Sequence, residues 1–431
     1  MKEQTLTVVG LGKLGVPLCA VLASGGHRII GVDRNVERVA EIVEGRCSIR
    51  EPDLNRLLSD AGERIEVTCD LGNAVAHSST TFITVATPSA AGGLFDLSQV
   101  RAALRGIGAA LKLSDAPHLV VICSTVHPGA TDRLLRQELE AAAGCPLGPR
   151  LGLCLLPEFV ALGSVVRDLL EPRPFIIGSA NASDGERLAD LMRSVHRTQP
   201  TLHHLGFAGA ELAKIAINNF VAMKIAFANH LGELAESLKI TDPTAVAAAV
   251  GEDRRIGRSF FRPAMPFGGP CFPRDVRAFG ALARMLDLPG DLQEAVHALN
   301  EHHTERLVKA VLAALPPGGR VGLLGMSFKA GTADVAGSLG VELARRLAAA
   351  KVRPLVYDPM VPRQVLLGLG LDVRFAESAA DAAAADVVVI TTECSEFKGL
   401  ACRAEGRTLI DPWRMAEEGG ASPEWTTTST T

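Results

Sequence analysis

The segment at residues 267–275 contains the residues best suited to covalent chemistry. It reads Phe-Gly-Gly-Pro-Cys-Phe-Pro-Arg-Asp, with Cys271 at its centre. Pro273 suits the first turn of a helix, so the pattern predicts a helix from Cys271 to about Leu286. At a helix N-terminus the dipole and nearby arginines favour the nucleophilic thiolate. We therefore interpret Cys271 as a nucleophile, with Asp275 one helical turn further on, rather than as a small buried hydrophobe.

Lys214 and Asn218 form a second polar pair, four residues apart in an otherwise largely apolar stretch. The spacing places them on one face of a long helix predicted over residues 210–238. Because a buried lysine and a buried amide are costly without partners, we expect a largely buried helix with a polar pocket rather than an exposed strip. The neighbours that indicate burial are Leu212, Ile215, Ala216, Ile217, Phe220 and Val221.

Two further sets of charged residues give weaker signals. Glu158 follows the apolar run of residues 151–156, and a carboxylate at a strand end in an α/β domain faces the ligand crevice. A solvated loop residue is the alternative interpretation. Four arginines between residues 254 and 262 form a locally basic segment. It suits a diphosphate ligand, and a solvated helix face would explain it almost as well.

The loop at residues 10–15, Gly-Leu-Gly-Lys-Leu-Gly, has the spacing of a dinucleotide-binding turn between a strand and a helix. Its glycines permit the tight bend, the approach of a pyrophosphate and the packing of helix on strand. Asp33 ends the next predicted strand, 21 residues beyond Gly12, where a carboxylate can bind ribose hydroxyls. The acid favours NAD because it would repel a 2′-phosphate, although Arg34 and Arg38 leave NADP open.

Short apolar runs that alternate with helical patterns predict the elements that position these residues. The predicted strands lie at 6–10, 29–33, 81–85, 118–122, 320–324, 354–357 and 386–390. A helical region lies between the two sets of strands, and the order strand, glycine turn, helix, strand and aspartate occurs at 8–33 and again at 321–358. We therefore predict an α/β fold with two Rossmann-like, doubly wound domains joined by a long central helix. The predicted divisions are 1–204, 205–300, 301–420 and a disordered tail, 421–431.

Composition excludes several classes of protein. The 431 residues are 47% hydrophobic and 21% charged with a net charge of −4, so we expect no nucleic-acid partner. No apolar run reaches the ~18 residues of a membrane helix, and the N-terminus does not resemble a signal peptide. Nine cysteines without a metal-binding spacing indicate reduced thiols, no metal site and a cytoplasmic location.

These motifs together resemble those of the UDP-glucose/GDP-mannose dehydrogenase family of nucleotide-sugar 6-dehydrogenases, from Gly10 to Arg414. The cysteine segment is the most specific match and resembles the UDP-glucose branch. The resemblance implies NAD binding by residues 1–204, dimerisation through the helical region 205–300 that carries Cys271, and UDP binding by residues 301–420. The cofactor residues that it implies are Gly10, Leu11, Gly12, Lys13, Leu14, Gly15, Asp33, Arg38, Thr87, Pro88, Ser124 and Thr125.

The resemblance also implies a reaction in which two NAD molecules in succession take hydride from the sugar C6. The catalytic residues would be Cys271, Lys214, Asn218, Asp275, Glu158 and Thr125. The substrate residues would be Glu158, Phe159, Lys214, Asn218, Arg255, Arg262, Phe267, Gly268, Gly269, Phe328, Lys329 and Arg414. Cys271 would trap the aldehyde and form a thioester, which water activated by Glu158 would hydrolyse. Arg255 would reach a neighbouring subunit, so a homodimer or larger homo-oligomer is implied.

Five positions depart from the family pattern. Leu156 replaces an asparagine, Leu162 a glutamate that contacts the cofactor, Ala336 an NAD-contacting arginine, Pro270 a serine and Arg274 a lysine. Conversion of UDP-glucose to UDP-glucuronate is the default activity. The alternatives are another UDP-sugar such as a UDP-N-acetylhexosamine, GDP-mannose, a two-electron hydroxyacid-type dehydrogenase, and a nucleotide-sugar-binding protein with weakened catalysis.

Overall fold

Two open sheets, one in each half of the chain, form the framework of the protein. The computed structural model describes residues 3–398 and 407–415. The chain divides into two compact units, Met1–Ala216 and Ile217–Thr431. The predicted α/β architecture with two nucleotide-binding-type domains and a long central helix is confirmed.

The N-terminal unit contains a sheet of eight strands in the order β3-β2-β1-β4-β5-β6-β7-β8, in which β6 and β7 pair antiparallel and the other pairs are parallel. The strands are β1 Thr5–Val9, β2 Arg28–Val32, β3 Ile65–Thr68, β4 Thr80–Ile83, β5 His118–Ile122, β6 Leu151–Leu155, β7 Phe175–Ser179 and β8 Leu202–Leu205. The helices are α1 Gly15–Ser24, α2 Val36–Val43, α3 Leu54–Ala61, α4 Leu71–Ala76, α5 Ser98–Leu111, α6 Arg136–Ala143, α7 Val165–Leu170 and α8 Ala182–Arg193. A 3₁₀ turn, Gly62–Arg64, precedes β3, and a π-helical turn, Thr131–Leu135, precedes α6.

The C-terminal unit contains a parallel sheet of five strands in the order β11-β10-β9-β12-β13. The strands are β9 Val321–Leu324, β10 Leu355–Tyr357, β11 Arg374–Phe375, β12 Val387–Ile390 and β13 Thr408–Ile410. The helices are α10 Pro243–Gly251, α11 Phe272–Met285, α12 Asp291–Ala314, α13 Leu339–Ala349, α14 Arg363–Gly368 and α15 Ala379–Ala382, and a 3₁₀ turn spans Ser395–Phe397. The boundary predicted at 300/301 falls inside α12; the four-part division stays a prediction, and its tail lies outside the described residues.

Continuous apolar sequence explains why the central strands form and stay buried. Every residue of β4, β5, β6, β9 and β12 is buried, as expected for parallel strands covered by helices on both faces. Each sheet packs against its own cluster of aliphatic side chains. The strand ends that carry the candidate site therefore extend from rigid supports.

The long helix, α9 Phe207–Ser237, corrects one expectation. The prediction of a largely buried helix was wrong for one face, because Leu212 is 43% exposed and Phe220 is 58% exposed. Phe227 and Leu234 are exposed on the same helix. These four residues form an apolar stripe on α9, whereas Ile215, Ala222 and Ala226 are buried.

No helix in residues 3–398 or 407–415 combines the length and hydropathy required to cross a membrane.

Candidate functional site

The glycine-rich loop of the N-terminal unit joins β1 to α1. Gly10 has a φ of +99°, which favours glycine. A Cβ on Gly15 would lie 1.8 Å from the carbonyl oxygen of Gly10, so no other residue allows this close approach. A Cβ on Gly12 would meet no atom within 4 Å, which leaves the backbone open to a ligand. The loop therefore fits a dinucleotide diphosphate at the N-terminus of α1.

The other residues of this loop divide between the interior and the surface. Leu11 is buried, and Leu14 packs against the aliphatic cluster of the sheet. Lys13 is exposed. Leu11 and Leu14 thus anchor the loop to the core, whereas Lys13 lies on its exposed side.

Asp33 lies directly after β2 and orients the loop. Its Oδ2 accepts a hydrogen bond from the Leu11 amide at 2.8 Å, and its Oδ1 accepts one from the Asn35 amide at 2.9 Å. Each carboxylate oxygen can accept two hydrogen bonds, so acceptor capacity remains for ribose hydroxyls. The side chain of Asn35 in turn accepts from the Arg38 amide at 3.0 Å and begins α2. These residues fit the adenosine end of NAD.

The remaining predicted cofactor residues lie in the loops after β4 and β5. Thr87 Oγ1 donates to the carbonyl of Thr125 at 2.7 Å, and Ser124 Oγ donates to the carbonyl of Val85 at 2.7 Å. Pro88 is exposed, and its carbonyl accepts from the Asp96 amide at 2.8 Å. The hydroxyls of Thr87 and Ser124 therefore join the two loops to each other.

Glu158 and Lys214 meet in the N-terminal unit. Lys214 Nζ donates to the carbonyl oxygen of Glu158 and lies 4.8 Å from the centre of the Phe159 ring. Burial raises the pKa of the Glu158 carboxyl to about 7, and the positive charge of Lys214 opposes this rise. A carboxyl with a pKa close to neutral pH can accept and return a proton during a reaction.

Asp275 is the centre of the polar cluster in the C-terminal unit. It is fully buried, and its Oδ2 accepts from Asn218 Nδ2 at 2.6 Å. Its Oδ1 accepts from Arg274 Nε at 2.8 Å. Its carbonyl accepts from Asn219 at 3.0 Å. Two donors on the carboxylate and one on the backbone fix its orientation. Arg274, which departs from the family pattern, keeps the positive charge at this point.

Cys271 is exposed and begins α11, as the sequence predicts. Its carbonyl accepts the Asp275 amide at 2.8 Å, which forms the first turn of the helix. Pro273 occupies that turn. The thiol therefore lies at a helix N-terminus, where the dipole favours a thiolate.

The two glycines before Cys271 allow its turn to pack closely on a neighbouring loop. The Gly269 amide donates to the carbonyl of Gly337 at 2.8 Å, and Gly269 has a φ of +78°. A Cβ on Gly268 would lie 2.5 Å from the Gly337 oxygen. A Cβ on Gly269 would lie 2.8 Å from the Phe328 ring. Close packing of the turn therefore requires both glycines.

A cavity of about 510 Å³ lies within the C-terminal unit. The predicted residues Arg262, Phe267, Gly268, Phe328 and Lys329 line it. Trp413, next to the predicted residue Arg414, also lines it, as does Phe260, which sequence reasoning missed. The Arg262 guanidinium lies 5.7 Å from the centre of the Trp413 ring. Cationic and aromatic side chains around one cavity suit a nucleotide.

Arg255 and Arg414 are among the predicted substrate residues that do not line this cavity. Arg255 has a side chain that is 88% exposed and pairs with Asp253 at 2.6 Å. Arg414 pairs with Asp242 at 2.9 Å, and its neighbour Trp413 lines the cavity instead. Of the other departures, Leu156 is buried in the core and Leu162 packs against it. Neither leucine can make the polar contacts of the asparagine or glutamate that it replaces.

The eight described cysteines differ widely in exposure. Cys19, Cys123 and Cys154 are buried, whereas Cys69 and Cys271 are exposed. Burial raises the pKa of the Cys19 thiol to about 12 and also raises the pKa values of Cys123 and Cys154. The buried thiols are therefore protonated and unreactive at neutral pH.

A diphosphate-binding turn in one unit and a nucleotide-sized cavity in the other define an α/β dehydrogenase with two nucleotide-binding domains. Three family models match the chain: the NAD-binding, central and UDP-binding domains of the UDP-glucose/GDP-mannose dehydrogenase family, at residues 4–196, 208–302 and 322–418. The chain belongs to this family of nucleotide-sugar dehydrogenases, and its cofactor is NAD.

Individual relatives cover nearly the whole chain. A UDP-glucose 6-dehydrogenase of Haloferax volcanii is 33% identical over 92% of this chain and 92% of its own. A GDP-mannose 6-dehydrogenase of Pseudomonas putida is 30% identical over 94% and 95%. The structure of a UDP-glucose dehydrogenase from Pyrobaculum islandicum superimposes with a TM-score of 0.88 at 35% identity, covering 95% of this chain and 94% of that one.

Proposed function

We propose that the protein oxidises the C6 hydroxyl of UDP-glucose to a carboxylate, with Cys271 holding the intermediate. The observation that carries the proposal is the position of Cys271 at the start of α11, one turn before a buried carboxylate fixed by Asn218 and Arg274. The similarity to the UDP-glucose enzymes of Haloferax and Pyrobaculum supports UDP-glucose as the sugar nucleotide. The similarity to the GDP-mannose enzyme makes GDP-mannose the alternative.

The first step removes a proton and a hydride from the C6 alcohol. Asp275 and Lys214 would take the hydroxyl proton through a water molecule. NAD, held by the residue 10–15 loop and Asp33, supplies the hydride acceptor in this oxidation and in the second one. Asn218 and Lys214 would stabilise the oxyanion that develops on the sugar oxygen.

The second step is covalent. The Cys271 thiolate would add to the aldehyde carbon, and oxidation of the resulting thiohemiacetal would leave a thioester. Water would then attack the thioester carbonyl as Glu158 accepts its proton, which releases the carboxylate and restores the thiolate. The pKa of Glu158, raised to about 7 by burial, supports this role, because such a carboxylate is a stronger base than an exposed one at neutral pH.

The cavity of the C-terminal unit would hold the nucleotide. Lys329 and Arg262 would pair with its phosphates, and Phe260 and Trp413 offer apolar surface to its base. We propose that the protein works as a homodimer or larger homo-oligomer, which the apolar stripe on α9 and the outward position of Arg255 support.

The experiment that tests the function is a stoichiometry measurement. Purified protein is incubated with NAD and, in separate reactions, UDP-glucose, a UDP-N-acetylhexosamine and GDP-mannose, and NADH is counted per sugar consumed. We expect two NADH per UDP-glucose and glucuronate as the product. One NADH per sugar would contradict the four-electron reaction, and binding without turnover would indicate a nucleotide-sugar-binding protein.

The covalent step needs its own control. The Cys271→Ser variant should bind UDP-glucose and NAD as the wild type does but form no acid. The matched variant Cys69→Ser changes the other exposed thiol of residues 3–398 and 407–415 and should keep full activity. A Cys271→Ser variant that still produced glucuronate would eliminate the thioester.

A further inference from the structure

Three side chains that can bind a metal ion lie together where α9 passes α12, outside the site described above. His230 and Glu233 are one turn apart on α9, and His303 lies on α12. One donor atom from each residue lies within 4.8 Å of the other two. Within residues 3–398 and 407–415, this is the one group of three or more histidine, cysteine or acidic side chains whose donor atoms lie this close together.

The distances suit a small cation. His230 Nδ1 lies 3.9 Å from Glu233 Oε2, and His303 Nδ1 lies 3.7 Å from the same oxygen. A tetrahedral zinc ion with bonds of about 2.1 Å separates its ligand atoms by about 3.4 Å. Side-chain shifts of a few tenths of an ångström would therefore bring each histidine nitrogen to this separation from Glu233 Oε2. The two nitrogens lie within 4.8 Å of each other and would have to approach further.

The second oxygen of Glu233 is already held by other groups. His302 Nε2 lies 2.9 Å from Glu233 Oε1, and Arg306 Nε lies 3.8 Å from it. Oε2 faces the two imidazoles of the group at 3.9 Å and 3.7 Å and also lies 3.1 Å from His302 Nε2. A carboxylate ligand whose other oxygen is hydrogen-bonded is the usual arrangement around protein-bound metals.

The His230 imidazole lacks a hydrogen bond at the atom that faces the carboxylate. This atom, Nδ1, is buried and has no hydrogen-bond partner among the described residues. The His303 side chain is only 2% exposed.

The local charge also favours a cation. Glu236 pairs with Arg306. Two carboxylates, those of Glu233 and Glu236, therefore lie beside one guanidinium, that of Arg306.

We propose that His230, Glu233 and His303 bind a divalent ion of the zinc class, with water in the fourth position. Nitrogen and oxygen ligands of this kind suit Zn²⁺, Co²⁺ and Ni²⁺ and exclude a preference for Mg²⁺ or Ca²⁺. The ion joins α9 to α12 within the C-terminal unit. Because the ion would bind the folded chain and not the unfolded one, it would raise the melting temperature of the protein.

The test measures metal binding by the full chain after treatment with a chelator. Zn²⁺ is titrated by calorimetry, bound metal is counted by mass spectrometry, and the melting temperature is recorded with and without Zn²⁺. We expect one tightly bound equivalent and a rise in melting temperature. His230→Ala and Glu233→Gln should lose that equivalent and the rise, whereas His77→Ala, which changes an exposed histidine elsewhere, should keep both.

Co²⁺ distinguishes this site from the cysteines. Cobalt bound by imidazole and carboxylate gives ligand-field bands without the sulfur-to-cobalt charge transfer of a thiolate site. A charge-transfer band, or binding that survives both His230→Ala and Glu233→Gln, would overturn the proposal, as would the absence of stoichiometric binding. Glu233→Gln is a nearly isosteric change, and circular dichroism of the metal-free variant checks that it is folded. A loss of metal binding can then be distinguished from a loss of folding.

Discussion

The two Rossmann-like units share the same backbone frame but use it differently. In the N-terminal unit the Gly10 amide donates to Val32, and in the C-terminal unit the Gly325 amide donates to Tyr357, both at 2.8 Å. In each unit a helix glycine packs on that first glycine, because a Cβ on Gly15 would lie 1.8 Å from the Gly10 oxygen and one on Gly340 would lie 2.2 Å from the Gly325 oxygen.

The difference lies in the loop between the first strand and the first helix. α1 begins five residues after Gly10, whereas α13 begins 14 residues after Gly325. The short loop leaves the helix N-terminus available to a diphosphate. The long loop instead contributes Phe328 and Lys329 to a cavity. The short loop thus allows a ligand to bind at a helix N-terminus, whereas the long loop provides side chains that line a cavity.

The strand-end aspartates differ in the same sense. Asp33 accepts one amide hydrogen bond on each oxygen. Asp358 accepts two on each: Oδ2 from Met326 and Ser327, and Oδ1 from Met360 and Val361. With its capacity for four hydrogen bonds filled, Asp358 holds the backbone and has nothing left for a ligand. The number of backbone hydrogen bonds that each carboxylate accepts thus distinguishes Asp33, which can still bind a ligand, from Asp358, which supports the backbone.

The largest effect should come from the shared glycines. Gly15→Ala and Gly340→Ala place a methyl against a backbone oxygen, and each should lower the free energy of unfolding by about 3 kcal/mol or prevent folding. Gly12→Ala and Gly368→Ala are the matched controls, because their Cβ atoms meet nothing within 4 Å. Urea denaturation measures all four. A stable Gly340→Ala variant would mean that the C-terminal frame is not equivalent to the N-terminal one.

The aspartates should separate binding from stability. Asp33→Asn should weaken NAD binding about tenfold, equivalent to about 1.4 kcal/mol, with a smaller loss of stability. Asp358→Asn should cost about 1–3 kcal/mol of stability, because the amide nitrogen faces backbone donors, and should leave NAD affinity intact. Calorimetry with NAD and urea denaturation are run on both. Equal effects of the two changes on NAD affinity would refute the distinction.

The long loop can be tested through its cation. Lys329→Ala should weaken UDP binding about tenfold and leave NAD binding unchanged, because a charge-assisted contact to phosphate is lost. Lys309→Ala removes an exposed lysine from α12 and serves as the control. Titration calorimetry with each nucleotide provides the measurement. Loss of NAD affinity in Lys329→Ala would assign the loop to the other nucleotide.

The smallest effect concerns the threonines that bind the first glycine of each frame. Thr84 Oγ1 donates to the Gly10 carbonyl at 2.7 Å, and Thr391 Oγ1 donates to the Gly325 carbonyl. Thr84→Val and Thr391→Val should each cost about 1 kcal/mol of stability, the usual value of one such bond. Equal shifts of the urea denaturation midpoint in the two variants would support equivalent roles for the two threonines. A shift in only one variant would show that the two hydrogen bonds differ in importance.

Local sequence was sufficient to predict the features that depend on neighbouring residues. The residue 10–15 loop, Asp33, Pro273 and the start of α11 follow from turn and helix chemistry within a few positions. The strands β7 and β8 were not predicted, and β8 reads Leu-His-His-Leu, which has no apolar run. Such a strand forms because the sheet offers it hydrogen-bond partners, which no local pattern records.

Features that depend on distant residues could not be predicted. The exposed face of α9 contains the same residue types as its buried face, so Leu212 and Phe220 were assigned to the wrong environment. Glu233 and His303 are 70 residues apart. Only the packing of the elements brings such groups together. The predicted catalytic and binding residues stay predictions until the variants are measured.

The unequal exposure of the described thiols has a practical consequence for inhibitor chemistry. Cys19, Cys123 and Cys154 are shielded and protonated, while Cys271 is exposed at a helix N-terminus. In a Cys69→Ser background, an electrophile such as a chloroacetamide attached to a uridine nucleotide would react first at Cys271. The separation that protects the buried sulfurs from oxidation thus makes this one cysteine a selective attachment point for a covalent probe.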